Sequence, residues 1–354
     1  MTYDVLILGQ GLVGSLLAWR LIRAGLTVLV VDGGGNNASR TAAGLVTPVT
    51  GKRWVKTVGV DTALPEARGG YKDLAQDLTC RVWHEHPILR LYRNQSERDQ
   101  ARKRRREADY LPYLGEEIPP GTAGWNLADD YGGCWLKEAA HLDTEVLLDR
   151  LRDWLQARGA YLGRRMDYAA LAMSQSGIRW NDLHADRVIF CEGWRGVDNP
   201  WFGALPWQPS QGEILTLESR TPLPPFPVNA GCWTLPLGKG RFRVGATYRW
   251  QPLTEDVSES ARRRLLAGLN ALFRKPLQAQ VIVQRAGIRP NTLDHQPFVG
   301  RHPRHSRLLL CNGFGSKGSL LAPWATRCLT EYLLSEVPLP ASIDLRRYHA
   351  RLAD

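Results

Sequence analysis

Apolar strands of the fully covered kind stand near both ends of the chain. Val5-Leu6-Ile7-Leu8 is an unbroken apolar run, the pattern of a strand buried on both faces, and it stops at Gly9. Residues 12–24 are apolar-rich and close at Gly25, the residue type favoured just past a helix. Val28-Leu29-Val30-Val31 is a second such strand and ends on Asp32. Leu147-Leu148, Leu151 and Trp154-Leu155 recur at helical spacing behind Asp143 or Thr144 as N-cap, with Gly159 as the stop. Arg187-Val188-Ile189-Phe190-Cys191 reads as a strand ending before Gly193. Leu308-Leu309-Leu310-Cys311 reads as another, followed by a glycine turn and a helix over residues 319–334.

Between these pieces the period changes. Glu213-Ile214-Leu215-Thr216-Leu217, Arg241-Phe242-Arg243-Val244-Gly245-Ala246-Thr247 and Gln280-Val281-Ile282-Val283 read as strands, separated by turns such as Leu237-Gly238-Lys239-Gly240. Residues 261–273 read as a helix, and the charged, aromatic stretch 60–130 is expected to be mostly helical. The expected fold class is α/β plus α+β. A Rossmann-type nucleotide-binding domain (residues 1–60, 133–205 and 285–345) is interleaved with an antiparallel-sheet domain (residues 61–132 and 206–284).

The first turn carries chemistry. Gly9-Gln10-Gly11-Leu12-Val13-Gly14 links strand to helix, and Asp32 follows 18 residues after Gly14. Gly9 permits the tight turn, Gly11 lets a pyrophosphate approach the backbone, and Gly14 lets helix and strand pack closely; Leu12 and Val13 open the helix whose N-terminus faces the phosphates. Asp32 is placed to accept ribose hydroxyls and would repel a 2′-phosphate, so FAD or NAD is expected rather than NADP. Ser39-Arg40-Thr41-Ala42-Ala43-Gly44 and Gly193 are assigned to the same layer.

Composition narrows the partners. The six cysteines show no Cys-x-x-Cys spacing and read as buried free thiols, and the histidine groupings match no metal-ligand pattern. The net charge is +11, and residues 98–106 alone hold six basic residues against one acid. No aromatic residue interleaves with that run, so a solvated helix face is expected there rather than a nucleic-acid platform. No apolar stretch is long enough to span a bilayer. With the nucleotide motif beginning at residue 4, a cytoplasmic location is expected.

A second turn, Asn312-Gly313-Phe314-Gly315-Ser316-Lys317-Gly318, repeats the strand–glycine–helix layout. Its helix end suits the negative charge that reduction places on a flavin ring, worth about 0.3–1 kcal/mol when exposed and up to about 2 when partly buried. Lys317 is expected to add to that effect, with Gly313, Gly315, Ser316 and Gly318 forming the cradle. Upstream, Arg285 and Arg289 bracket Gly287, and a guanidinium at either position can grip a carboxylate with both oxygens. Arg289 is expected to do so. Arg285 is expected to be structural, with Asp294 as the acid available for pairing.

Together these motifs resemble the flavin-dependent D-amino acid oxidase family, and within it the glycine oxidase and sarcosine-oxidase-like amine oxidases, over nearly the whole chain. The resemblance rests on residues 9–14 with Asp32, residues 39–44, Val244-Gly245-Ala246-Thr247, Gly287-Ile288-Arg289-Pro290 through Gly300, and the terminal glycine turn. It implies FAD lying extended across the first domain, a D-amino acid oxidase fold, and oxidation of a carbon–nitrogen bond in a small amino acid or N-alkylated amine, with dioxygen or another acceptor taking the electrons. Arg289 would hold the substrate carboxylate, and Tyr248 would help in the pocket. Phe314-Gly315-Ser316-Lys317 departs from the His-x-Arg-Asn pattern of glycine oxidases. It looks more like the flavin domain that trims carboxymethylaminomethyl-uridine in tRNA, which is the alternative reading; a non-catalytic flavin-binding protein is the third.

Overall fold

The computed structural model describes residues 2–35, 37–175 and 177–352. The chain runs through β1 (Thr2–Leu8), α1 (Leu12–Arg23) and β2 (Val28–Val31), then α2 (Val60–Asp77), β3 (Ile88–Leu91) and α3 (Gln95–Arg104). It continues through α4 (Thr144–Gln156), β4 (Leu183–Phe190), β5 (Ser210–Ser219), β6 (Val228–Asn229), β7 (Trp233–Gly238) and β8 (Arg241–Gly245). It closes with α5 (Glu259–Asn270), β9 (Ala279–Arg289), β10 (Leu308–Asn312) and α6 (Gly318–Ser335).

In the first layer β1 lies between β2 and β4, parallel to both, and β10 pairs in parallel with β4. Leu8 stands opposite Val31 on one side and Phe190 on the other. The next residues, Gly9, Asp32 and Cys191, therefore come out side by side at the carboxyl ends of the strands, where nucleotides bind in open parallel sheets. One face of this sheet is covered by α1, α2 and α6, whose Leu16, Leu17, Leu64, Tyr71, Leu320 and Leu321 share one buried cluster. The other face packs Leu6, Leu29, Phe190, Phe202 and Phe298.

The second layer is an antiparallel-rich sheet in the order β9-β5-β8-β7-β6-β3, extended by the strands Gly133–Leu136 and Leu114–Ile118. Alternation sorts its two faces. Leu215, Leu217, Phe242 and Val244 pack against Leu265 and Leu269 of α5, while Gly212 and Ile214 look toward the first layer.

Helix α4 joins the two layers. Near its N-terminus Glu145 pairs with Arg285 of β9 at 2.9 Å and with Arg243 of β8 at 3.4 Å. One turn on, the Leu148 carbonyl accepts from Gln10 Nε2 at 3.0 Å, and Arg152 donates to Gln10 Oε1 at 2.7 Å.

The sheets move several expected boundaries. Helix α2 packs on α1 and α6 in the nucleotide layer, although the sequence pattern places residues 61–132 in the other domain. Gly133–Leu136 hydrogen-bonds into the antiparallel sheet, and β9 carries that sheet to Arg289, past the expected boundary at 285. The stretch 60–130 is only partly helical, since Trp83–Glu85, β3 and Leu114–Ile118 are strands. Six free cysteines are present, four of them buried. Among the described residues no helix is long and apolar enough to cross a membrane.

Candidate active site

A cavity of about 910 Å³ runs between the two layers. That lies at the upper end for small-molecule sites and suits an extended ligand. Its first wall is the β1–α1 turn. A side chain at Gly9, where φ is +102°, would stand 2.6 Å from the Cys191 carbonyl, and one at Gly14 would run into the Gly9 carbonyl. Both positions therefore exclude a Cβ for reasons of backbone approach. The Leu12 N–H at the start of α1 donates to Ser39 Oγ at 3.1 Å. Asp32 accepts from the Gln10 and Gly34 N–H groups, both at 3.0 Å, and lines the cavity. A glycine cradle, an open helix end and an acid at the tip of β2 fit a dinucleotide: residues 9–12 the pyrophosphate and Asp32 the ribose.

Gly9, Gly11, Leu12, Val13, Asp32, Ser39, Ala43, Gly44, Gly193, Gly315, Ser316 and Gly318 line the cavity, as do Tyr248 and Arg289. Four expected site residues do not. Gly14 serves the packing of helix against turn. Gly313, at φ +86°, serves the terminal turn, where an added Cβ would lie 2.7 Å from Thr292 Cγ2. Arg40 turns away to Asp149 at 2.7 Å. Lys317 is the N-cap of α6, half-buried, and burial lowers the pKa of its amine. The residues on either side of it face the cavity while Lys317 does not, because successive positions at a helix start point about 100° apart. Its expected contact with a flavin ring is corrected accordingly; the end of α6 itself remains, through Gly318 and Ser319.

Opposite lies the floor of the antiparallel sheet. Gly212 of β5 pairs directly with Gly287 of β9, leaving two adjacent bare backbones. Over Gly212 lies the Arg289 guanidinium, and a Cβ there would collide with its terminal nitrogens. Arg289 donates to the Thr247 carbonyl at 3.3 Å and stacks on the Tyr248 ring at 4.1 Å. Among the described residues no carboxylate lies within ion-pair distance of it, and burial lowers its pKa. Arg285 instead pairs with Glu145, and Asp294 pairs with Arg347, so the expected Asp294 partnership is replaced.

The sequence reading missed Gly212, Arg90, Trp233 and Glu192, all of which line the cavity. A glycine inside a strand signals close approach of another group, which was the available clue for Gly212. The Glu192 carboxyl, beside Gly193, accepts from Tyr168 Oη and from Asn199 Nδ2 at 2.9 Å; desolvation raises its pKa to about 7. Of the six basic residues in 98–106, three are paired with acids, Arg98 and Arg102 with Glu117 and Arg104 with Glu107.

The chain matches the family described as FAD dependent oxidoreductase over residues 4–332. It is 24% identical to the glycine oxidase of Bacillus licheniformis, covering 94% of this chain and 93% of that protein. It is 26% identical to a tRNA 5-methylaminomethyl-2-thiouridine biosynthesis bifunctional protein of Aromatoleum aromaticum, over 96% of this chain and 58% of that protein. Among solved structures, glycine oxidase from Geobacillus kaustophilus superposes with a TM-score of 0.80 at 21% identity, covering 98% of each chain, which shows the shared fold.

Proposed function

We propose, from the premise that this chain belongs to the FAD dependent oxidoreductases, that it oxidises a carbon–nitrogen bond in a small amino acid or N-alkylated amine bearing a carboxylate. The observation that carries the substrate assignment is Arg289, a guanidinium facing the cavity with, among the described residues, only a carbonyl and an arene as partners. Removing a guanidinium from water without a counter-ion is costly, and an incoming carboxylate supplies one through two parallel hydrogen bonds. The relatives named glycine oxidase support the same class.

Bound FAD would supply hydride-accepting chemistry for the carbon beside a neutral amine, with dioxygen or another acceptor taking the electrons and water hydrolysing the imine product. Everything else falls to the chain. Residues 9–12 and the N-terminus of α1 would hold the pyrophosphate, and Asp32 the ribose. The N-terminus of α6 would favour negative charge on the ring. Arg289 anchors the carboxylate, and Tyr248 keeps the guanidinium plane fixed, so the reacting carbon is presented in one orientation. Ile214, Ala246 and Tyr248 beside it supply no carboxylate or imidazole base.

Anaerobic mixing with glycine, sarcosine, proline and D-amino acids tests the reading. Bleaching of the bound flavin by at least one of them is expected, and Arg289→Leu should cut kcat/KM roughly 100-fold or more while leaving the flavin spectrum in place. Bleaching by none, or unchanged turnover in Arg289→Leu, would refute it. The tRNA reading draws on the Aromatoleum relative and the +11 charge. It requires RNA binding with a steep salt dependence, and the paired arginines of α3 argue against it.

A further inference from the structure

A second guanidinium faces the same cavity from a strand at the far end of the sheet. The hydrogen-bonded register runs in one row from Arg90 on β3 to Asn229, Trp233, Gly245 and Ile214. Directly paired residues of neighbouring strands share a face. Asn229, Trp233 and Ile214 line the cavity, and Arg90 lines it with them.

Arg90 is only 8% exposed. It donates once to the protein, to the Gly51 carbonyl at 2.7 Å, and its guanidinium lies 3.8 Å from the centre of the buried Trp54 ring. Among the described residues no carboxylate stands within ion-pair distance. The nearest acid in its field, Glu97, is engaged by the side chain and backbone N–H of Arg93. A guanidinium carries five N–H donors in a planar fork, and most of these are unanswered here. The cofactor's own anion is no candidate partner, because the pyrophosphate cradle belongs to the β1–α1 turn of the other layer.

We propose that Arg90 is a second anion subsite, and that the preferred substrate is an elongated amine with one carboxylate beside the reacting carbon and another remote from it. The proposal rests on Arg289 holding the first carboxylate. Five strand spacings, roughly 24 Å, separate β3 from β9, and Arg289 stands four residues, roughly 13 Å, along β9 from Arg285, where the Arg90 row ends; the reach of two arginine side chains shortens that span. A short diacid cannot bridge the two cations, and a longer one can. A small dianion is favoured over a polyanion because Arg98, Arg102 and Arg104 beyond this end are already paired with acids.

The test is titration of the FAD-loaded protein with unbranched α,ω-dicarboxylates from succinate through sebacate, each beside the monocarboxylate of equal length. The readout is the perturbation of the bound-flavin absorption. At one chain length the dicarboxylate should bind roughly 10- to 100-fold tighter than its monocarboxylate partner, the range of a charged hydrogen-bonded contact. Arg90→Met should bring that ratio to about one, and Arg90→Lys should retain part of it. The proposal falls if no length shows a gain. It falls equally if Arg90→Met lowers both affinities and leaves the ratio intact, which would make Arg90 a support for the Gly51 loop alone. Should the methionine variant not fold, the length series on the unaltered protein decides. If monocarboxylates fail to bind as well, the Arg289 assignment falls with it; if they bind and no dianion gains, only the Arg90 subsite is lost.

Discussion

Arg289 owes its position to what its neighbours lack. Gly212 has no side chain to lift the guanidinium off the sheet, and the Gly287 backbone directly opposite is equally bare. Gly212→Ala should therefore displace the flexible end of Arg289 without disturbing the strand. KM for carboxylate substrates should rise roughly tenfold, about 1.4 kcal/mol, with little change in melting temperature. Steady-state kinetics and a thermal melt on the same sample check both halves. Arg289 itself was legible because it follows a glycine at the end of a strand and has another arginine four positions earlier. Arg90 was not, since one basic residue in a mixed stretch has no pattern, and only strand pairing reveals which face it takes. Lys317 was misread because a glycine turn tells which backbone faces a ligand but not where the side chain between two such residues points.

At the level of elements, the apolar runs announced α1, β2, β10 and α6 within a residue of their bounds, and the carboxyl ends of β1 and β4, whose less apolar first residues extend each strand three and four positions further back. Strands of two or three residues carry too little periodicity to be seen. The small sheet made of Leu45–Val46, Ala140–Leu142 and Trp83–Glu85 belongs to that hidden class. Its histidines meet face on: His84 stacks on His141 at 4.7 Å, and His86 Nε2 stands 2.7 Å from His141 Nδ1. Desolvation, then the neighbouring His86, His84 and Arg243, hold the His141 pKa near 3, against about 6.5 in an unfolded chain. A group with a lowered folded pKa of this kind must stay neutral in the native state. Its contribution is complete above pH 6.5 and is lost as pH falls from there toward 3. The urea midpoint should drop between pH 7 and pH 5, and His141→Gln should show a smaller drop over the same interval. Parallel pH profiles that differ by a constant offset would count against this site.

For the whole molecule, the order of elements matters more than their number. The chain crosses between its two sheets repeatedly, so neither can come apart while the other stays whole. A single unfolding transition is expected, with calorimetric and van't Hoff enthalpies in agreement. If the cavity between the sheets holds FAD as proposed, bound cofactor should raise the stability of both together, by about 2.7 kcal/mol at a hundredfold excess over Kd. Differential scanning calorimetry across a series of FAD concentrations checks this; two separate transitions, only one of them moving, would contradict it. The broad plan of two interleaved layers was readable from the change of period along the sequence. Its exact seams were not, because a helix such as α2 is assigned by what it packs against rather than by its own residues.

Helix α4 grips Gln10 with one turn and the paired arginines of β8 and β9 with another. It thus acts as a fixed spacer, setting how far the proposed seat of the nucleotide stands from the proposed seat of the substrate acid. Lengthening or loosening that spacer would misalign the two reactants without touching a single atom that either of them meets.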